Sequence, residues 1–174
     1  MLCQRNLNLE LDSVEISPSA IIDAKINIKN CNWSERIKLY HQNLKDFHPN
    51  SNYDLIVSNP PYFKKSLQPS NAERSKARHQ NDLKLEDILM FSNQNLTKDG
   101  SLNIILPFDQ KKEAKEFAKK YGLYSIRECA VYPKANKAPH RILLELSRNE
   151  NEQINKESLV IEKDGRPVSY THLT

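Results

Sequence analysis

Tyr53-Asp54-Leu55-Ile56-Val57-Ser58, running straight into Asn59-Pro60-Pro61-Tyr62, is the stretch on which the fold turns. The first six residues form a nearly continuous apolar run of strand length, the pattern of a parallel strand covered on both faces. The two prolines end it, because neither can donate a hydrogen bond to a ladder. Upstream, LELDSVEI (9–16) alternates around Leu9, Leu11, Val14 and Ile16 as a strand, and Ser17-Pro18 reads as an N-cap with proline in the first turn. The helix that follows carries Ile21, Ala24, Ile28 and Cys31 at helical spacing, and RIKLY (36–40) is a second short strand. Downstream, a helix over about 83–96 turns Leu85, Ile88, Leu89 and Leu96 inward, and Gly100 is expected in the turn before the strand SLNIILP (101–107). A charged helix from Gln110 to Tyr121 places Ala114, Phe117, Ala118 and Tyr121 on one face, with Gly122 just past its end. LYSIRECAVYP (123–133) and HRILLELSR (140–148) form an antiparallel hairpin, and an Asn-rich turn near 149–157 leads to the strand SLVIEK. Alternating strands and helices make the chain α/β.

The 174 residues contain three glycines, against about twelve at ordinary usage. Gly100, Gly122 and Gly165 stand far apart, so no G-x-G exists to bring backbone amides against a pyrophosphate, and both a P-loop and a dinucleotide fingerprint are excluded. The length suits one domain with a real core. No stretch approaches the roughly 18 apolar residues of a membrane span, and the first residues hold no apolar segment of signal-peptide length, so a cytoplasmic location is expected. Cys3, Cys31 and Cys129 are odd in number and widely spaced, which fits reduced structural thiols rather than a disulfide framework or a zinc site; no metal is expected.

Net charge is +4, and its placement says more than its size. Between residues 64 and 84, Lys64, Lys65, Arg74, Lys76, Arg78 and Lys84 face only Glu73 and Asp82, an excess equal to that of the whole chain. A second basic stretch holds Lys134, Lys137, Arg141 and Arg148 against Glu145. Such local positive charge suits a polyanion such as RNA. From Asn59 to about Asn81 there is no helical or strand period, so the first basic stretch lies in a long loop, a common home of function in compact domains.

Asn59 to Tyr62 lie at the carboxyl end of a parallel strand, the edge at which open α/β sheets bind ligands. DLIVSNPPY resembles the (D/N/S)PP(Y/F) motif of S-adenosylmethionine-dependent methyltransferases that alkylate an amine conjugated to a π system. QRNLNLELDSVEISPSA, YDLIVSNPPYFKKSLQPS, ARHQNDL and YPKANKAPHRILLELSR are together similar to the bacterial tRNA1(Val) (adenine(37)-N6)-methyltransferases over roughly residues 4–166. The resemblance implies a Rossmann-like class I methyltransferase sheet, S-adenosylmethionine as cofactor and tRNA as partner. It also implies roles. Asn59 and the Pro60 carbonyl accept the two N–H bonds of the target amine, Pro61 stiffens the turn, Tyr62 stacks on the flipped base and Phe63 forms a second wall. Lys64, Lys65, Arg74, Arg78 and His79 hold tRNA phosphates. Glu15, with Ile16 beside it, takes the ribose hydroxyls of the cofactor. Asn43, with Leu44, stands where many relatives use an Asp to read the cofactor's adenine amine.

The pattern also departs from the family's. The glycine-rich loop after the family's first strand would lie some twenty residues before Glu15, where this sequence has fourteen residues and no glycine. In the family's strand order 3-2-1-4-5-7-6 that strand is central, so the expectation is two half-sheets with unpaired edges, and weak or no cofactor binding by these 174 residues. Calorimetric titration with S-adenosylmethionine checks this; micromolar affinity would contradict it. Residues 1–166 are read as a partial methyltransferase domain and 167–174 as a tail unlike the family's. Two other functions stay open: a release-factor glutamine methyltransferase, whose carboxamide nitrogen is also conjugated, and an inactive RNA-binding remnant.

Overall fold

The computed structural model describes residues 2–60, 83–150, 153–163 and 166–167. The chain divides into two compact units, Met1–Pro49 and Asn50–Thr174.

In the first unit a four-residue helix α1 (Leu2–Arg5) precedes a βαβ arrangement: β1 (Leu11–Glu15), α2 (Pro18–Lys29) and β2 (Ile37–His41). The two strands pair in parallel, from Leu11 opposite Ile37 to Glu15 opposite His41. Ser17 caps α2 as its sequence predicts, its Oγ accepting the Ala20 N–H at 3.4 Å, with Pro18 opening the first turn. Ile21 is buried and Ala24, Ile28 and Cys31 are half-buried, so the predicted apolar face is the one that packs. Arg36 had no signal in the sequence, yet its guanidinium donates to the carbonyls of Cys3, Asn6, Leu7 and Leu9 at 2.8–3.2 Å and holds the N-terminal stretch to the start of β2.

The second unit is a six-stranded sheet in the order β3-β4-β6-β5-β7-β8, built from β3 (Tyr53–Ser58), β4 (Leu96–Pro107), β5 (Tyr124–Lys134), β6 (Arg141–Ser147), β7 (Asn155–Lys163) and the two-residue β8 (Arg166–Pro167). Helices α3 (Leu85–Asn95) and α4 (Lys111–Lys120) flank β4 in sequence. β3 and β4 run parallel, and β6 lies antiparallel between β4 and β5, the expected hairpin. The order β3-β4-β6-β5 matches the 4-5-7-6 half of the family's sheet, and the separate β1-β2 pair matches its 3-2 half.

The core of this sheet is a set of facing pairs. Leu102 lies opposite Leu146, Ile104 opposite Leu144 and Leu106 opposite Ile142, all six at or below 2% exposure. Each such side chain contributes about 1.5–3 kcal/mol on burial. Ile88 and Leu89 of α3 and Ala114 and Ala118 of α4 complete the buried set. Gly122 has φ 68° and ends α4 in a Schellman motif: the Leu123 N–H reaches the Ala118 carbonyl at 2.9 Å and the Gly122 N–H reaches that of Lys119 at 3.1 Å.

Two expectations are corrected. β3 is the terminal strand of its sheet, with Leu55 39% and Val57 55% exposed, so its apolar run is not covered on both faces among the described residues. Gly100 lies inside β4 rather than in a turn before it. The pairing slips there, from Tyr53 opposite Leu96 to Leu55 opposite Ser101, and a Cβ on Gly100 would sit 2.7 Å from the Tyr53 carbonyl oxygen. The glycine permits a close backbone approach at an irregularity, a use of glycine in strands that resembles a turn signal in sequence.

Arg148 joins α3 to the sheet. Its guanidinium donates to the carbonyls of Leu96 at 2.7 Å and Thr97 at 3.0 Å and to that of Asn93, closing the C-terminal end of α3. Arg148→Ala is expected to cost about 2 kcal/mol, the scale of charge-assisted hydrogen bonds left unmade, measured as a shift of the urea midpoint at unchanged slope.

Candidate active site

Strand direction decides which residues share an edge in the second unit. β3 and β4 point the same way, so Asn59-Pro60 and Pro107-Phe108 emerge at the same end of the sheet. β6 is antiparallel to β4, with Arg141 opposite Pro107, so the β5–β6 connection, residues 135–140, turns at that end too. The Phe108 N–H donates to the His140 carbonyl at 3.1 Å, tying the two segments together.

Asn59 is exposed and Pro60 buried at the end of β3. Neither the Asn59 side-chain oxygen nor the Pro60 carbonyl accepts a hydrogen bond from a described residue. Two acceptors on consecutive residues, neither bonded to a described residue, suit a ligand carrying two N–H groups, such as an exocyclic amine. Pro61, Tyr62, Phe63, Lys64, Lys65, Arg74, Lys76, Arg78 and His79 lie outside the described residues.

In the first unit, the parallel register brings Glu15 and Ile16 beside Gln42 and Asn43 at the carboxyl ends of β1 and β2. The Gln42 N–H donates to the Glu15 carbonyl at 3.1 Å, and a His41 ring nitrogen lies 3.3 Å from the Ile16 carbonyl. Glu15 Oε1 accepts the Ser17 N–H at 2.7 Å, which fixes the carboxylate against the start of α2. Its Oε2 is bonded to no described residue, and the two oxygens retain acceptor sites for a vicinal diol. Asn43 Oδ1 accepts the Lys45 N–H at 3.0 Å and caps a 3₁₀ turn at Leu44–Asp46, so one lone pair of its oxygen is engaged, leaving the second lone pair and the two amide N–H groups to offer. Glu15 therefore fits a ribose. Asn43 has a local task as the cap of that turn.

An open groove of about 530 Å³ is lined by Phe108, Asp109, Lys111, Lys112, Lys115 and Glu116 at the start of α4. Two of its lysines are spent inward. Lys111 Nζ and Lys115 Nζ each lie 2.5 Å from the Glu128 carboxylate, which is 2% exposed. Burial pushes the Glu128 carboxyl up, and hydrogen bonds and charge from Lys111 and Lys115 more than offset it, leaving it below the ordinary carboxylate value. None of these three residues stands out in the sequence, since a lysine in a charged helix and a glutamate in a strand give no local sign of their pairing. Cys3, Cys31 and Cys129 are free thiols, and burial pushes Cys129 up, keeping it protonated. Among the described residues no group of His, Cys, Asp and Glu gathers that could hold a metal, and no helix is long and apolar enough to cross a membrane.

Comparison with known proteins gives these placements a context. Residues 3–75 match the model of an RMKL-like methyltransferase domain. The chain is 38% identical over 149 residues to the tRNA1(Val) (adenine(37)-N6)-methyltransferase of Parabacteroides distasonis, covering 84% of this chain and 62% of that relative. It is 36% identical over 163 residues to the protein of the same name from Bacteroides thetaiotaomicron, covering 93% and 68%. The chain thus spans a little under two thirds of the Parabacteroides relative's length. A solved Agrobacterium tumefaciens structure described as a predicted O-methyltransferase matches with a TM-score of 0.68 at 15% identity, covering 95% of this chain and 75% of that one. That likeness shows the class I methyltransferase fold. With the relatives' identity and coverage, the chain belongs to the tRNA1(Val) (adenine(37)-N6)-methyltransferase family.

Proposed function

We propose that this protein methylates the N6 amine of an adenine in the anticodon loop of tRNA, by analogy with its relatives adenine 37 of tRNA1(Val), using S-adenosylmethionine. The observation that carries the reading is the pair of acceptors on consecutive residues, Asn59 Oδ1 and the Pro60 carbonyl, at the carboxyl end of β3, neither of them bonded to a described residue. Adenine's amine is a poor nucleophile because its lone pair is delocalised into the ring. An acceptor on each N–H pulls the nitrogen towards tetrahedral geometry and aims the lone pair away from the ring. The contribution is positioning and preorganised electrostatics. S-adenosylmethionine supplies an electrophilic methyl on a sulfonium. Glu15 would hold its ribose, Ile16 and Leu44 would pack beside it, and Asn43 would meet its adenine through the amide. The proton lost from the alkylated nitrogen leaves along one of the bonds accepted at Asn59 and Pro60 to solvent, so no strong general base is required. Tyr62 and Phe63 would stack on the flipped base. The cations from Lys64 to Arg78, with His79, would hold the flanking phosphates.

Because these 174 residues are expected to hold the cofactor weakly, the test is run at saturating labelled S-adenosylmethionine. It measures methyl incorporation into an unmodified tRNA transcript, beside a transcript with guanine at the target position and a release-factor protein. Incorporation only into the adenine transcript is the expected result. Incorporation into the release factor, or RNA binding with no incorporation, would replace this reading with one of the two alternatives.

A further inference from the structure

The second basic stretch of the sequence is split by the fold into two uses. Arg148 sits at the end of β6 away from Asn59 and is consumed by the carbonyls of Asn93, Leu96 and Thr97. Lys134, Lys137 and Arg141 stand at the other end, on the edge from which Asn59 and Pro60 emerge.

We propose that the β5–β6 turn, with Lys137 at its exposed tip and Lys134 at its base, is a second phosphate-binding arm that holds the tRNA backbone a few nucleotides from the base bound at Asn59. The inference rests on the tRNA methyltransferase reading above and adds to it a surface outside the loop that follows the Asn59 motif. Three observations carry it.

The first is position. β3 and β5 are three strand spacings apart in the order β3-β4-β6-β5, which puts the arm about 15 Å along the edge from Asn59. That is close enough for the nucleic-acid strand that delivers the base to touch both. The second is rigidity. The Lys137 N–H closes on the Lys134 carbonyl at 3.1 Å, the His140 N–H on that of Val131 at 2.9 Å, and Phe108 is anchored to the His140 carbonyl. An arm held this way gives up little conformational entropy when it meets a ligand. The third is charge. Residues 133–144 contain Lys134, Lys137 and Arg141 with no Asp or Glu. Lys134 pairs with Glu162 at 3.0 Å, which fixes the base of the arm. Lys137 is exposed and forms no ion pair with a described residue. A lysine offered on a rigid turn is a point charge suited to a phosphate, and it carries no sequence information.

The experiment compares wild type, Lys137→Ala, Lys137→Glu and Lys98→Glu in the full chain, reading tRNA-transcript affinity at several salt concentrations and the KM and kcat of methyl transfer. Lys98 is exposed near the amino end of β4, on the opposite edge, so its reversal makes the same change in net charge away from the proposed surface. The expected result is that Lys137→Glu weakens tRNA binding about 10-fold, lowers the salt slope by about 0.7–0.9 and raises KM for tRNA with kcat unchanged. Lys137→Ala should give a smaller loss in the same direction, and Lys98→Glu less than about twofold. If wild type binds and methylates tRNA while Lys137→Glu matches it in affinity and slope, the arm is not a contact and the functional reading stands. An equal loss in Lys98→Glu would likewise overturn the arm, since net charge alone would then explain the effect. If wild type neither binds nor methylates tRNA, the functional reading falls and the arm with it.

Discussion

Asn59→Ala is expected to slow methyl transfer to tRNA by about 10²- to 10³-fold, the range found when one preorganised hydrogen-bonding group is removed from a reacting centre. The side chain is exposed at the end of β3 and bonded to no described residue, so its removal leaves no buried orphan and should not change stability. On the proposed reading, its loss removes one of two acceptors and lets the amine lone pair relax back into the ring. The effect should appear in kcat, under single turnover, with tRNA and cofactor affinities changed less than about twofold. Asn59→Asp keeps an acceptor at the same place and should retain far more activity than Asn59→Ala. Full activity of Asn59→Ala would remove the assigned role.

Removing both lysines over Glu128 is expected to be the most destabilising change away from the site. Lys111→Ala with Lys115→Ala leaves a carboxylate that is 2% exposed without either cation. Breaking a buried pair from one side costs about 3–5 kcal/mol. For a chain of this length that corresponds to a loss of about 10 °C in Tm. Glu128→Gln should be milder, about 1–2 kcal/mol, because Lys111 and Lys115 are 31% and 33% exposed and can turn to water. The pH dependence follows from the depressed carboxyl. Glu128 ionises more readily when folded than at its ordinary value of 4.5, so its stabilisation is present above that value. It is lost as pH falls through the lower, folded value. Glu128→Gln should flatten that part of the acid-unfolding curve, while a curve unchanged from wild type would show that the cluster carries no linkage.

Much of the fold was legible because local signals were strong and agreed. Ser17-Pro18 opens α2, Gly122 closes α4, and the Asn59-Pro60-Pro61 break ends β3 at Ser58 as the proline argument requires. Periodicity could not reveal tasks set by partners distant in sequence. Arg148 counted as part of a basic stretch until the sheet order placed it against α3, and Gly100 read as a turn because a close approach to Tyr53 leaves no local trace. Glu15 and Asn59 were singled out by the family resemblance together with their places at strand ends. The engagement of Asn43 Oδ1 by Lys45 was not, since a side chain's choice between capping a turn and meeting a ligand depends on backbone geometry. The shared edge of Asn59 and Lys137 needed both the order and the direction of four strands.

The bare flank of β3 carries a liability that has nothing to do with chemistry. Among the described residues no strand pairs with the outer side of β3, and Leu55 and Val57 are exposed, so this margin can take up an extended chain that drifts past. Such a strand invites self-association. Pro60 and Pro61 follow two and three residues after its end, and neither has an N–H to give to an incoming strand. The dipeptide therefore caps the length of any intermolecular ladder, so replacing it is expected to cost solubility, whatever it does to the proposed methyl transfer.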